Sequence, residues 1–84
     1  MHAVFYSKEA LKALNRMPVN TARRIRDKIR ELAADPRGMR NVKWLSDHPG
    51  CGLRVGDWRV IYTVDESAVT IHVIRIETCG GAYR

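Results

Sequence analysis

The first half of the chain has the apolar spacing of a short strand followed by two helices. Residues 2–6, HAVFY, are rich in β-branched and aromatic side chains and predict a strand. Ser7 suits the N-cap of a helix, and Glu9 suits its first turn. Pro18 divides the following segment, because proline interrupts one helix and is well placed to begin another. Apolar residues recur at steps of three and four on both sides of it: Ala10, Leu11, Leu14, Met17, Val19, Ala22, Ile25, Ile29 and Leu32. We therefore expect an antiparallel helical hairpin that ends at ADPRG.

The second half of the chain changes to a period of two, which is typical of strands. Apolar and polar residues alternate over 51–55 and again over 58–64. Gly56 and Asp57 lie between these runs and suit a two-residue hairpin turn. After a second turn at DESA, residues 69–76, VTIHVIRI, predict a further strand.

These elements predict an α+β fold in the order β-α-α-β-β-β. We expect an N-terminal strand, a helical hairpin and then an antiparallel β-meander, with the helices on one face of the sheet. Residues 37–50 predict an irregular connection with a short strand around Val42 to Leu45. At 84 residues the chain predicts a single domain over residues 1–84, with a small core.

The turn at Gly56-Asp57 predicts that Arg54 lies directly opposite Arg59. The predicted core face carries Cys51, Leu53, Val55, Trp58, Val60 and Tyr62, and the other face carries Gly52, Arg54, Arg59 and Ile61. Like charges opposite each other on a sheet are destabilising, and a phosphate or carboxylate between them would remove the repulsion. Two alternatives remain: both side chains extend into water, or Asp57 or Asp65 neutralises one of them.

The chain is basic, with a net charge of +6, which favours a polyanionic partner such as nucleic acid or an acidic protein segment. Arg37, Arg40 and Lys43 in the irregular segment could extend a phosphate-binding track. The basic residues of the second helix alternate with acidic ones and are more typical of a solvated face. Trp44 and Trp58 could stack on bases, but Trp58 falls on the apolar face and is interpreted as core.

Other features of the chain predict a cytoplasmic protein without a cofactor. No apolar run approaches the about 20 residues of a membrane span, and MHAVFYSKEA lacks the layout of a signal peptide. Cys51 and Cys79 fit a reduced compartment and are interpreted as two thiols. A disulfide between them, or a metal site with His48, are alternatives with weaker support from the spacing. We expect no metal and no membrane partner.

The stretch LRVGDWRVIYTVDESAVTIHVIRI, with a terminal AYR and the upstream LAADPRGMRNVKWL, closely resembles the RelE/ParE superfamily of toxins from bacterial type II toxin–antitoxin systems. RelE-like members are ribosome-dependent mRNA endoribonucleases. The resemblance implies a metal-free reaction in which the 2′-hydroxyl attacks the adjacent phosphate. Arg59 and Tyr83 match catalytic positions of that branch, and Arg54 matches a basic position on the preceding strand. With them, Arg37, Arg40, Lys43 and Arg84 are the predicted RNA contacts.

The chain departs from that pattern at several basic positions. RelE-type relatives often carry lysines where this chain has Gly50 and Gly52. Many also end in a charged run where this chain reads TCGGAYR, so that an arginine expected near Cys79 is missing. The ParE-like branch, which poisons DNA gyrase and lacks the nuclease residues, is therefore the alternative function. A catalytically decayed toxin that only binds its antitoxin is another.

The resemblance also implies a protein partner. We expect a cognate antitoxin with an acidic, partly disordered segment and a DNA-binding domain that this chain lacks. The helical hairpin would supply apolar contacts, and the face with Arg54 and Arg59 would supply charge. The expected target is the ribosome with its mRNA, or DNA gyrase in the alternative function.

Overall fold

The computed structural model describes residues 1–35, 42–44 and 51–78, with the backbone alone at 42–44 and 51. The strands and helices, in chain order, are β1 (Ala3–Tyr6), α1 (Lys8–Arg16), α2 (Val19–Ala34), β2 (Val42–Trp44), β3 (Cys51–Val55), β4 (Trp58–Asp65) and β5 (Thr70–Thr78). The strands form one sheet in the order β1-β5-β4-β3-β2. The predicted α+β class and the predicted order of elements are confirmed, including the short strand that begins at Val42.

The predicted antiparallel meander is confirmed, and the parallel N-terminal strand makes the sheet as a whole mixed. β3 pairs with β4, and β4 with β5, in antiparallel fashion, and β2 pairs antiparallel with β3. β1, however, runs parallel to β5, with Ala3 opposite Thr70 and Tyr6 opposite Val73. A parallel neighbour requires a long crossover, which here includes the helical hairpin and three strands. Periodicity within β1 carries no information about a partner so distant in sequence.

Ser7 ends β1 and begins α1. Its hydroxyl oxygen accepts a hydrogen bond from the backbone N–H of Ala10 at 3.0 Å, which confirms the predicted N-cap. The backbone N–H of Ser7 donates to the carbonyl of Val73 at 2.9 Å, and its hydroxyl donates to the carbonyl of Ile74. The start of the helical hairpin is therefore tied directly to β5.

The core lies between the helices and one face of the sheet. Its buried residues are Ala10, Leu14, Met17, Ile25, Ile29, Leu32 and Ala33 from the helices and Leu53, Val55, Val60, Tyr62, Ile71, Val73 and Ile76 from the strands. Trp58 is half-buried and packs against this cluster, as predicted. Two members of the predicted helical stripe are instead exposed: Leu11 by 41% and Val19 by 73%. Val19 is the first residue of α2 and directly follows its N-cap, Pro18.

Candidate functional site

The sheet face opposite the helices carries the two arginines, and we call it the arginine face. Arg54 lies directly opposite Arg59 in the register of β3 and β4, and Val55 lies opposite Trp58. Gly56, between the strands, has a φ of +60°, a backbone conformation that glycine adopts at little cost. The predicted turn and the predicted register are both confirmed. Two guanidinium groups therefore start from adjacent positions on one face of the sheet.

Arg54 is exposed, and its Nε donates a hydrogen bond to the carbonyl of Gly56 at 3.2 Å. This contact leaves the terminal nitrogens of its guanidinium available. A guanidinium has five N–H donors in a planar fork, and the fork suits the oxygens of a phosphate or carboxylate. Arg54 therefore offers an exposed anion-binding group that is oriented by its own turn.

Arg59 has a different environment. Its side chain is 25% exposed, and its Nη2 lies 3.7 Å from Oε1 of Glu77, which is opposite it on β5. This distance is within ion-pair range but exceeds that of a hydrogen bond. The Nε of Arg59 is buried and has no hydrogen-bond partner in the part of the chain that the structure describes. Arg59 thus retains unused donors on the face where an anion was predicted.

The ion pair corrects the suggestion that Asp57 or Asp65 neutralises one of the arginines. Asp65 instead accepts hydrogen bonds within its own turn, from the hydroxyl of Ser67 at 2.8 Å and from the backbone N–H groups of Ser67 and Ala68, each at 3.1 Å. These bonds, with the Ser67 hydroxyl first, lower the pKa of the Asp65 carboxyl. Glu77, which was not among the predicted site residues, is the carboxylate that pairs with Arg59.

A one-residue shift in the register of β4 and β5 brings Glu77 to the arginine face. From Asp65 opposite Thr70 to Tyr62 opposite Val73, the two strands pair without interruption. Beyond that point Ile61 pairs with Arg75, so that Ile74 is an extra residue in β5. Without the extra residue, Arg59 would face Ile76. The shift instead turns Ile76 into the core and Glu77 toward Arg59. Ile74 is also the residue whose carbonyl accepts the hydroxyl of Ser7.

The arginine face is not uniformly exposed. Ile61, which shares this face by register, is only 2% exposed, although it was predicted on the side away from the helices and lies outside the core cluster. Farther along, His72 pairs with Thr63, and its ring stacks on Phe5 with centroids 5.9 Å apart. By register, the polar residues of this face nearest to Arg59 are Arg54 and Glu77, followed by Arg75 opposite Ile61 and, farther along the sheet, His72.

The remaining predicted site residues cannot be positioned on this face. Arg37, Arg40, Tyr83 and Arg84 lie outside the described residues. His48, Gly50 and Cys79 also lie outside the described residues. The alternatives of a metal site and a disulfide, and the missing basic residues at Gly50 and Cys79, therefore stay predictions from the sequence. For Lys43 the backbone alone is described: it pairs with Gly52, which in turn pairs with Ile61. Among the described residues, no group of three or more His, Cys, Asp or Glu side chains could hold a metal ion.

The helical side carries a second basic surface. Three of the four arginines of α2 line a groove of about 380 Å³ between α1 and α2, whose apolar wall includes Leu14 and Met17. These three, Arg23, Arg26 and Arg30, are called the α2 arginines below. Arg30 lies 3.8 Å from Asp27, and Lys28 lies 3.2 Å from Glu31, as expected for a partly neutralised, solvated helix face.

A second groove, of about 270 Å³, lies between α2 and β1, and its lining includes Arg26, Arg30 and Tyr6. Burial raises the pKa of the Tyr6 hydroxyl, and the charges of Arg26 and Arg30 act in the opposite direction. The helical hairpin therefore presents apolar grooves bordered by positive charge.

No helix of the described residues is long and apolar enough to cross a membrane.

A mixed five-stranded sheet with a helical hairpin on one face, and two opposed arginines on the other, defines a small basic α+β domain of the toxin type that the sequence resembles. The profile of the family described as ParE toxin of type II toxin-antitoxin system, parDE, matches residues 4–83. The chain belongs to this family, and the predicted membership of the RelE/ParE superfamily is confirmed.

Solved structures support the same fold. The archaeal RelE–RelB complex from Pyrococcus horikoshii is 27% identical, with a TM-score of 0.79, and the match covers 94% of this chain and 96% of that one. The RelBE2 toxin–antitoxin complex from Mycobacterium tuberculosis is 20% identical, with a TM-score of 0.79 and coverage of 92% and 96%. The intact RelBE complex of E. coli is 21% identical, with a TM-score of 0.77 and coverage of 93% and 96%. No curated protein matches the chain.

Proposed function

We propose that this toxin inhibits translation as a ribosome-dependent, metal-free mRNA endoribonuclease, with the arginine face as its active surface. The observation that carries this proposal is the position of Arg54 directly opposite Arg59 on the face that the helices leave uncovered. Two like charges at adjacent positions repel each other, and an RNA phosphate between them turns the repulsion into attraction.

The two arginines would contribute most as the reaction proceeds. Attack by the 2′-hydroxyl places an additional negative charge on the phosphate in the transition state. Arg59 is three-quarters buried, so its attraction for that charge is less screened by water than that of an exposed cation. Arg54 is exposed and would capture the phosphate first. Tyr83 and Arg84 would complete the site, together with Arg37, Arg40 and Lys43 along the message.

The partner we propose is an antitoxin with an acidic, amphipathic segment, and the helical hairpin is where its apolar residues would bind. The RelBE2 structure from Mycobacterium tuberculosis and the intact RelBE structure from E. coli are toxin–antitoxin complexes. Here the groove between α1 and α2 combines apolar side chains with the α2 arginines, so it offers both kinds of contact that an ordering segment needs. The antitoxin would bring the DNA-binding domain.

Poisoning of DNA gyrase is the second candidate function, and two observations favour it. The matching family is described by its ParE members. Glu77 also places a negative charge 3.7 Å from Arg59, which opposes the binding of a phosphate there. A toxin that acts on gyrase would not need a phosphate site on this face. The two candidate functions therefore differ in whether Arg59 binds an RNA phosphate.

The test is a pair of assays on one purified preparation. Message is incubated with toxin, with and without ribosomes, and cleavage is mapped by primer extension; supercoiled plasmid is incubated with gyrase and toxin in parallel. We expect cleavage only with ribosomes, and a loss of about 100-fold or more in Arg59→Ala. Lys12→Ala, an exposed cation on α1, is the control and should cleave normally. Intact message together with gyrase-dependent DNA breaks would replace the proposal with the second candidate.

A further inference from the structure

We infer that Glu77 is the general base that takes the proton of the attacking 2′-hydroxyl, an inference that rests on the proposed endoribonuclease function. Hydroxyl attack on a phosphodiester is slow unless a positioned group removes the proton. The basic residues near Arg59 bind anions but are poor proton acceptors, because arginine remains protonated. The arginine face therefore needs a base. Tyr83, the catalytic position that the resemblance implies, lies outside the described residues, so the base is sought among the described side chains.

Glu77 is the carboxylate that reaches Arg59 within the described ranges. Its Oε1 lies 3.7 Å from Nη2 of Arg59, and its side chain is 31% exposed, so substrate can approach it. His72, the other described proton acceptor on this face, stacks on Phe5 and pairs with Thr63, four register pairs along β4 from Arg59. The position of Glu77 is thus closer to the predicted phosphate than that of His72.

The contacts of Glu77 and Arg59 leave both groups able to act on substrate. The distance between them is too long for a hydrogen bond, and the Nε of Arg59 has no partner among the described residues. In RNA the 2′-hydroxyl and the adjacent phosphate are separated by only a few bonds, so their recognition requires an acceptor and an anion-binding donor side by side. Glu77 and Arg59 are such a pair, held by the β4–β5 register.

The reaction step balances with the groups named. The 2′-hydroxyl donates its proton to the Glu77 carboxylate as its oxygen forms a bond to phosphorus. The bond from phosphorus to the 5′-oxygen breaks, and its electron pair leaves with that oxygen, which takes a proton from water. The products are a 2′,3′-cyclic phosphate and a 5′-hydroxyl. Arg54 and Arg59 bind the additional negative charge on phosphorus while the bonds exchange.

Glu77→Gln keeps the size of the side chain and removes its ability to accept the proton. We expect single-turnover cleavage on saturating ribosomes to fall by about 100-fold or more, with unchanged affinity for the ribosome. Cleavage by the wild type and by Glu77→Gln is compared across pH, and the two profiles should differ. Glu77→Asp should recover part of the rate. Melting temperatures of all variants establish that the fold is retained.

The outcomes separate the inference from the function on which it rests. If the wild type cleaves message and Glu77→Gln cleaves at the same or a higher rate with the same pH profile, Glu77 is not the base, while the endoribonuclease proposal stands. A higher rate would show that Glu77 opposes phosphate binding. If the wild type leaves message intact on ribosomes, the proposed function fails, and the role of Glu77 fails with it.

Discussion

The hydroxyl of Ser7 donates a hydrogen bond to the carbonyl of Ile74, 67 residues farther along the chain, at the extra residue of β5. The same oxygen accepts the backbone N–H of Ala10 and caps α1. One side chain therefore joins the start of the helical hairpin to the register shift that places Glu77 opposite Arg59. This contact links the stability of the fold to the composition of the arginine face.

Ser7→Ala should destabilise the protein by about 2 kcal/mol. The lost N-cap accounts for about 1 kcal/mol and the lost bond to Ile74 for a similar amount. Urea unfolding measures the difference. Ser7→Thr, which retains the hydroxyl, should lose much less. Equal stability of Ser7→Ala and the wild type would show that neither bond contributes.

Arg54→Gln should make the protein slightly more stable and less active. Removal of one of two opposed charges relieves a repulsion of about 0.5 kcal/mol, and the gain should shrink at high salt. Cleavage on ribosomes should fall, since the exposed anion-binding group is lost. The change at an exposed cation away from the site, Lys12→Gln on α1, should affect neither quantity. The substitution also removes the hydrogen bond from Nε of Arg54 to the carbonyl of Gly56, so the salt dependence is the decisive reading: a change in stability that does not depend on salt would contradict a repulsion between the two guanidinium groups.

Gly56→Ala should destabilise the hairpin by about 1 kcal/mol. The φ of Gly56 is +60°, which costs an ordinary L-residue about that much. Space is not the obstacle, because within the described residues the atom nearest to an added Cβ, Nη2 of Arg24, would lie 3.7 Å away, an ordinary contact distance. Gly56→Asn should cost less, because asparagine tolerates this region. Thermal unfolding of the two variants makes the comparison, and equal losses would contradict a conformational cause.

Asp65→Asn should lower stability at neutral pH but not in acid. Hydrogen bonds from Ser67 and Ala68 hold the pKa of the folded Asp65 carboxyl below its ordinary value of 3.8. A lowered pKa contributes stability above the unfolded value, and this contribution is lost as the pH falls through the folded value. The stability of the wild type should therefore begin to approach that of Asp65→Asn as the pH falls below 3.8, and the two should converge below the lower, folded value. A difference that is constant from neutral to acidic pH would exclude the ionised carboxyl as its source.

Affinity for an antitoxin that neutralises this toxin should fall as salt is raised, because part of the binding is charge pairing between exposed groups. Arg23→Glu with Arg26→Glu should weaken binding strongly, since both residues line the apolar groove between α1 and α2. Arg54→Glu with Arg59→Glu tests whether the segment also crosses the arginine face. Isothermal titration at two ionic strengths gives both results. Salt-independent binding, unaffected by either pair, would place the antitoxin elsewhere.

Local pattern was sufficient for the elements and for the opposed arginines. The spacing of apolar residues predicted the helical hairpin, and Ser7 predicted its cap. A two-residue turn at Gly56 specifies the pairing of its own strands, so Arg54 opposite Arg59 followed from a few adjacent residues.

The parallel pairing of β1 and the presence of Glu77 beside Arg59 were decided by the tertiary structure. Both depend on contacts between segments that are distant in sequence: β1 against β5, and Ser7 against Ile74. The alternation of side chains along β5 does not by itself say which residues lie on the arginine face. A shift of one residue exchanges the two faces of a strand, so the extra residue in β5 decides that Glu77 lies on the face of Arg59. Since the energy that holds the extra residue comes partly from the distant Ser7, no local window of the sequence could place the carboxylate next to the arginine.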